Sequence, residues 1–354
     1  MKIGVVPNND EFDHPADRRR YVHYLNKSGI IFEKANFNKD YDFLYVSISG
    51  NLALWAKYKE RYRNSKNKPK IIFDLSDDLL KDTWLKNFLR SILYFFQGKN
   101  PSFFLSYKQI IKKMIEVSDQ IICGSEEQKI DLNKLHQNVV VMRESVSQEI
   151  FFKKRSYKLV RKNEIHVFWE GLSHGNAECF NHLKQILQGL SGGKVHLHVV
   201  TDPLYCKISS KLNCTQTYSL LTDIFKNTDI YFHLYDWNLV TFSAICSACD
   251  IAIIPIPNDP VMMCKPENKL LLLWEIGIPV VTTKTPSYER VMRGADLNFF
   301  GSNMNEMIQK TKTLISSEKV RLAYMNNAAK YLNDNCSDNK INKLWNEIFT
   351  KDKV

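Results

Sequence analysis

No uninterrupted apolar run in these 354 residues approaches the ~20 that a membrane-spanning helix requires. A secretory signal is also missing, since only Ile3 to Val6 are apolar before Pro7 and a polar stretch. Both absences point to a cytoplasmic protein, or one peripheral to the inner face of the cell membrane. Helix-turn-helix, zinc-finger and aromatic RNA-binding signatures are absent too, which sets nucleic acid aside as a partner. Cysteine is present, with eight residues, but not at metal-site spacing. Cys246-Ser247-Ala248-Cys249 is a formal C-x-x-C with no second Cys or His pair beside it. It lies in an apolar helix pattern, where thiols are ordinarily buried, so neither a metal nor a cofactor is expected. No internal repeat or low-complexity tract is found.

What the chain does contain is enough apolar residue for two cores. Hydrophobic content of 44% with 12% aromatics excludes general disorder, and the length suits two domains. The formal net charge of +11 calls for an anionic partner, either a membrane surface or a phosphorylated substrate. That charge is concentrated between residues 84 and 113, where Lys86, Arg90, Lys99, Lys108, Lys112 and Lys113 alternate with Trp84, Phe88, Tyr94, Phe95, Phe96, Phe103, Phe104 and Tyr107. A basic amphipathic stretch rich in aromatics can lie in the headgroup region of an anionic leaflet. The alternative is that the aromatics are core and the lysines a solvated face.

Apolar strands alternate with helical patterns along the whole chain. Strands are expected at Lys2–Val6, Phe43–Ser47, Ile71–Phe73, Gln120–Cys123 and Val139–Met142. The alternation restarts at Ile165–Phe168, Val195–Val200, Ile230–Leu234, Ile251–Ile254 and Val280–Thr282. Arg18 to Lys27 reads as a helix stopped by Ser28-Gly29. Such alternation means parallel βαβ units. The class is α/β, with two Rossmann-like, doubly wound parallel-sheet domains, 1–150 and 163–335. A polar, basic linker joins them, and a helix in 336–354 is expected at the domain junction. Ligands of such sheets bind at the C-terminal ends of strands, here in a cleft between facing domains.

Strand-end loops therefore collect the candidates. After the first strand come Asp13 and His14, as a base or as acceptor contacts, or simply as surface loop. Asp74 ends a buried strand and is the candidate for orienting or deprotonating a hydroxyl. Asp77 follows as an acceptor contact, helix capping being the competing reading of this cluster. In the second domain Gly171, Ser173, His174 and Asn176 form a strand-to-helix turn able to bring backbone N–H groups to a phosphate. No Walker or G-x-G-x-x-G pattern accompanies it. Asp236 and Trp237 end another strand and could meet a nucleotide base, although Trp237 also reads as core.

The segment from Asp250 to Val281, DIAIIPIPNDPVMMCKPENKLLLLWEIGIPVV, is the most informative. It reads as strand, loop, helix and strand. Proline is favoured at a first helical position, so Pro266 is expected to start the helix, with Lys265 at the cap and Gly277 as the stop. Lys265 and Lys269 are spaced to reach one face of that turn, with the N–H groups of Glu267 and Asn268 beside them.

In order, DIAIIPIPNDP, KPENK and GIPVV resemble the second half of the group 1 glycosyltransferases of the GT-B fold. The variant they resemble carries two lysines at the positions of Lys265 and Lys269. Further fragments match collinearly: MKIGVVP, IIFDLSDDL, SDQIICGSEEQKIDL, VVVMRESVSQEIF and HVFWEGLSHGNAECFNHLKQIL. The resemblance implies a metal-independent, retaining glycosyltransferase. It would move a sugar from a nucleotide-sugar to a glycan or lipid-linked acceptor, in surface polysaccharide or lipopolysaccharide synthesis. Lys265 and Lys269 would stabilise the leaving phosphate, and Asp74 or His14 would lie near the attacking hydroxyl. Two departures stand out. The turn from Gly171 to Leu183 lacks the Arg and Lys that many members use on the donor diphosphate, and Leu272 occupies the position of the ribose-binding glutamate. Other readings are a different GT-B enzyme, such as a nucleotide-sugar epimerase, and a catalytically silent GT-B subunit binding a partner or membrane.

Overall fold

The computed structural model describes residues 1–350 except 63, 65–67, 102–104, 145–149, 162, 174–176, 191–192 and 210–211. The chain forms two compact units. One comprises Met1–Ser145, Asp259–Pro266 and Cys336–Val354; the other comprises Val146–Asn258 and Glu267–Asn335.

The first unit is built on β1 (Ile3–Val6), β2 (Glu33–Lys34), β3 (Phe43–Ser47), β4 (Lys70–Leu75), β5 (Gln120–Cys123) and β6 (Val139–Val141). They lie in the order β2-β1-β3-β4-β5-β6, parallel throughout. Runs such as FLYVS and QIIC are buried along their full length, as a parallel sheet covered on both faces demands. Successive residues point to opposite faces. Leu44, Val46, Ile71, Phe73 and Ile121 pack against the helix Tyr107–Val117. Phe43, Tyr45, Ile72 and Ile122 pack with Tyr21, Tyr24 and the terminal helix Asp338–Thr350.

That terminal helix, expected at the domain junction, is a cover of the first unit's sheet. Ile341, Trp345, Ile348 and Phe349 sit in its core. Asp338 accepts from the Tyr24 hydroxyl at 3.3 Å and lies 3.2 Å from His23 Nε2, and Ser28 donates to Asn342 at 3.0 Å. The expected helix over Arg18–Lys27 is also different in kind. A kink within Arg18–Val22 breaks it ahead of a regular turn over His23–Lys27. The irregular residue is Arg20, at φ −108° and ψ −113°, whose guanidinium is buried against β4. A cation so placed overrides the helical pattern because its alternative is an unpaired charge in the core.

The second unit contains β7 (Glu164–Glu170), β8 (Lys194–Thr201), β9 (Leu204–Ser209), β10 (Leu212–Gln216), β11 (Ile230–Asp236), β12 (Ile251–Ile254), β13 (Val280–Thr283) and β14 (Phe300–Gly301). Six form a parallel sheet in the order β11-β8-β7-β12-β13-β14. β9 and β10 make a separate antiparallel hairpin, crosslinked by a Cys206–Cys214 disulfide. Strand–helix alternation does not announce this hairpin, because it is inserted between β8 and the next helix, Thr217–Phe225. The C-x-x-C thiols, Cys246 and Cys249, are buried and unbonded to each other. The helix expected from Pro266 begins at Asn268, capped by Glu267, and Gly277 ends it in the left-handed conformation at φ +97°. Its first i→i−4 bond runs from Leu271 N–H to the Glu267 carbonyl. Among the described residues no helix is long and apolar enough to cross a membrane.

Candidate active site

In the second unit the candidates assemble where β7 ends. Lys269, in the first turn of the helix Asn268–Ile276, donates from Nζ to the Glu170 carbonyl at 2.6 Å. The same Nζ lies 3.6 Å from the Glu170 carboxylate and 5.6 Å from the centroid of the Trp169 ring. Gly171 makes this approach possible: a Cβ there would fall 3.1 Å from both Lys269 Nζ and the Trp169 ring. The glycine of the strand-to-helix turn thus admits a lysine rather than acting through its own N–H, which bonds to the Val200 carbonyl at 3.3 Å.

A second cation reaches the same helix end. Arg290, on the helix Pro286–Gly294 after β13, donates to Glu267 Oε2 at 3.1 Å. Glu267 is the cap residue of the Asn268 helix and is only 1% exposed. Its carboxylate and that of Glu170 both act on Tyr288, whose hydroxyl is pushed up by burial first and by these charges second. The pairs share one polarity. Lys269 and Arg290 are 32% and 30% exposed, while their carboxylates are 17% and 1% exposed. The cations face outward over a half-buried and a buried anion, at a helix N-terminus whose first N–H groups have no intrahelical partner. That is a surface able to receive a phosphorylated group. Sequence reasoning passed over Arg290, since no periodic pattern links it to Glu267 across 23 positions.

The other turn residues have different occupations. Ser173 is fully buried, its N–H and hydroxyl each 2.6 Å from the Asp202 carboxylate. It fixes the turn against the end of β8. Asp202 was legible by the rule that singled out Asp74, a carboxylate closing an apolar strand. Asp236 is exposed at the end of β11, and the N–H of Trp237 bonds to the Thr201 carbonyl at 3.0 Å. Asn268 is half-buried as the first residue of its helix. His174 and Asn176 lie outside the described residues. Leu272 is buried among the apolar residues of its helix. Lys265 is exposed on the segment Asp259–Pro266, which belongs to the first unit, so the paired lysines of the sequence motif are divided between the units.

In the first unit the structure removes Asp74 from the list of available bases. The carboxylate is buried and bound bidentately by Arg20, at 2.9 Å to Nε and 2.7 Å to Nη2, and it accepts from the Tyr45 hydroxyl. Burial pushes its carboxyl up, while the guanidinium and the Tyr45 hydroxyl hold it back. Arg20 also donates to the Met142 carbonyl at 3.0 Å, so the group ties β3, β4 and the end of β6 together. A carboxylate so buried and held by three donors is committed to the core. Asp77 is exposed after β4. Asp13 accepts from the Asn9 side chain in an exposed loop, and His14 caps the turn Pro15–Asp17 by accepting from the Ala16 N–H at 3.2 Å.

The fold is that of the GT-B glycosyltransferases. Over 99% of this chain and 100% of the other it matches WaaG, a glycosyltransferase involved in lipopolysaccharide biosynthesis, with a TM-score of 0.59 at 11% identity. Anabaena Alr3699/HepE in complex with UDP and glucose matches over 99% and 100%, with a TM-score of 0.58 at 14% identity. The sucrose-phosphate synthase of Thermosynechococcus elongatus matches over 97% of this chain and 79% of its own, with a TM-score of 0.60 at 9% identity. No family model and no curated protein sequence matches the chain.

Proposed function

We propose that the chain is a glycosyltransferase that moves a sugar from a nucleotide-sugar to a glycan or lipid-linked acceptor. The observation that carries this reading is the outward-facing pair of Lys269 and Arg290, over a half-buried Glu170 and a buried Glu267, at a helix N-terminus on a GT-B fold. In glycosyl transfer the bond from the anomeric carbon to the phosphate oxygen breaks, and its electron pair leaves with the nucleotide. The acceptor oxygen bonds to that carbon and gives up its proton. Lys269, Arg290 and the helix end would stabilise the charge developing on the leaving phosphate. Side chains thus supply the positive charge, and the mechanism calls on no metal. Asp236 and Asn268 remain candidate donor contacts. His14, Asp13 and Asp77 remain acceptor-side candidates, with His14 the proton acceptor now that Asp74 is occupied. The test is a thermal-shift screen against UDP-, GDP-, CMP- and dTDP-sugars. A donor at 100 times its Kd adds about 2.7 kcal/mol to a folded state that alone binds it. A rise in Tm with one nucleotide class is the expected result, and no rise with any would sink this reading in favour of a silent subunit.

We also propose that the protein works at an anionic membrane leaflet, on its cytoplasmic side. The helix Trp84–Phe96 is amphipathic with its polarity reversed. Asn87 and Ser91 are buried and bond to the start of the helix Tyr107–Val117, through Lys108 N–H at 3.1 Å and Tyr107 N–H at 2.9 Å. Trp84 (76% exposed), Leu85, Phe88, Leu89, Leu93 and Phe96 (80%) face outward. Lys86, paired with Asp259, and Lys112 and Lys113 are exposed in the same stretch of sequence, and basic residues near an apolar face suit an anionic leaflet. The protein is expected to sediment with vesicles containing phosphatidylglycerol and not with pure phosphatidylcholine. Trp84→Glu with Leu89→Glu should abolish that binding without lowering Tm. Equal sedimentation of the variant would remove the membrane from the proposal.

A further inference from the structure

Four histidines stack on one face of the second unit's sheet, beside its β11 edge. His166 (β7), His196 and His198 (β8) and His233 (β11) have ring centroids 4.7 to 5.3 Å apart, and the tyrosines of β11, Tyr231 and Tyr235, extend the stack. The rings are also wired edge to edge. His166 Nδ1 is 2.9 Å from His198 Nε2, and His198 Nδ1 is 3.1 Å from the Tyr235 hydroxyl. His196 Nδ1 is 3.0 Å from His233 Nε2. The remaining nitrogens, His166 Nε2 and His196 Nε2, are buried without a hydrogen-bond partner, at 3.9 and 3.8 Å from Glu164 Oε2. Near-parallel rings do not aim their lone pairs at a common point, and among the described residues no group of three or more His, Cys, Asp or Glu is arranged to hold a metal ion.

One assignment of tautomers satisfies both wires. Tyr235 donates to His198, His198 to His166, and His166 turns its remaining N–H toward Glu164; His233 donates to His196, which likewise turns its N–H toward Glu164. Every ring then carries one proton. A second proton on the accepting ring of either His–His pair would set two N–H donors against each other at about 3 Å and break that N–H···N bond. It would also place like charges in rings at stacking distance.

We propose that this stack is an acid-sensitive latch, closed while its rings are neutral, that secures the β8 and β11 edge of the second unit and opens when protons load it. The charged and titratable groups around it are few. Glu164 faces the two free nitrogens, and Lys194 and Arg161 add positive charge near His196. Asp250 spends its carboxylate on the backbone N–H groups of Val160 and His166, with Lys154 close by. The helix Leu239–Ala248, which packs on β7 and β8, carries no charged residue, only Cys246 just ahead of Cys249. Glu164 alone cannot offset four added charges. Burial, then the neighbouring rings, hold His198 down to about 3 and lower His196 and His233 as well.

The sign follows. A histidine whose folded value lies below its unfolded value of ~6.5 binds more protons when unfolded. The latch is therefore fully effective above about pH 6.5, and its contribution is lost as the pH falls from there toward 3. Each excluded proton lowers the folding equilibrium constant by about tenfold per pH unit below that onset. What the latch holds bears on the site. β8 runs into Thr201 and Asp202, which anchors Ser173, and β11 ends at Asp236.

Amide hydrogen exchange at pH 7.5, 6.0 and 5.0, corrected for intrinsic rates, tests this on the intact chain. The expected result is that protection of residues 195–201 and 230–236 falls with acid, while β4 and β5 of the first unit keep theirs. The double variant His166→Gln, His198→Gln retains hydrogen-bonding groups that do not titrate, and should lose at least tenfold less protection between pH 7.5 and 5.0 than the wild type. Equal acid loss in the two proteins would overturn the proposal, as would protection that does not change with pH. If the variant fails to fold, the imidazole NMR titration of the wild type decides. A His198 ring neutral down to pH 5 supports the latch, and one titrating near 6.5 overturns it.

Discussion

Asp74→Ala is expected to destabilise the first unit by about 3–5 kcal/mol, the usual consequence of removing one partner of a buried ion pair and leaving the other charged. The carboxylate accepts from Arg20 at two nitrogens and from Tyr45, with no exposed surface to take their place. Arg20 then remains in the core with its bond to the Met142 carbonyl but without its carboxylate. Burial opposes its charge most strongly, and Asp74 is the largest of the groups that together offset that penalty. Urea unfolding measures the loss. Arg20→Met combined with Asp74→Leu should cost less than Asp74→Ala alone, because both charges leave together. The same variants separate the structural role from the catalytic one. A well-folded Asp74→Asn with near-normal stability but greatly reduced transfer would return Asp74 to the chemistry.

This residue also marks how far the sequence could be read. Most strands were legible because a parallel sheet covered on both faces leaves continuous apolar runs, and β3, β5 and β12 begin and end where those runs do. β2 and β14 were not: two residues each leave too short a run to register. The β9–β10 hairpin follows no alternation rule, and its pairing is antiparallel. Asp74 was rightly placed at a buried strand end, but its partner lies 54 positions earlier, at a kink that looks like ordinary helix in one dimension. The C-terminal helix showed its apolar face without showing which sheet receives it. In the candidate site, Lys269 and Gly171 were both singled out in the sequence, though not the close approach between them. Glu267 was noticed for its place beside Asn268, and only the fold reveals that it underlies Arg290.

Lys269→Ala is expected to lower the turnover of a glycosyl donor by about 10²–10³, the range seen when one preorganised donor to a developing anion is lost. The ammonium is not a mobile surface charge. A carbonyl at 2.6 Å, a carboxylate at 3.6 Å and the face of Trp169 hold it over the end of β7. Such a group is already placed when the leaving phosphate gains charge, so it need not reorganise then. Lys269→Arg should rescue poorly, because the larger guanidinium has to fit where even a Cβ on Gly171 would come within 3.1 Å. By the same geometry Gly171→Ala should displace the ammonium by a few tenths of an ångström and cost less than its removal. Glu267→Gln adds a different readout. If Glu267 only aims Arg290, the variant should weaken binding of the nucleoside diphosphate while leaving folding intact, and Arg290→Ala should add little to it. Additive losses from the two would mean that Glu267 contacts the donor itself. Kinetics with the nucleotide-sugar that raises the wild-type Tm measure all of these, and Lys269→Ala with unchanged kcat would dismiss this helix end as the phosphate site.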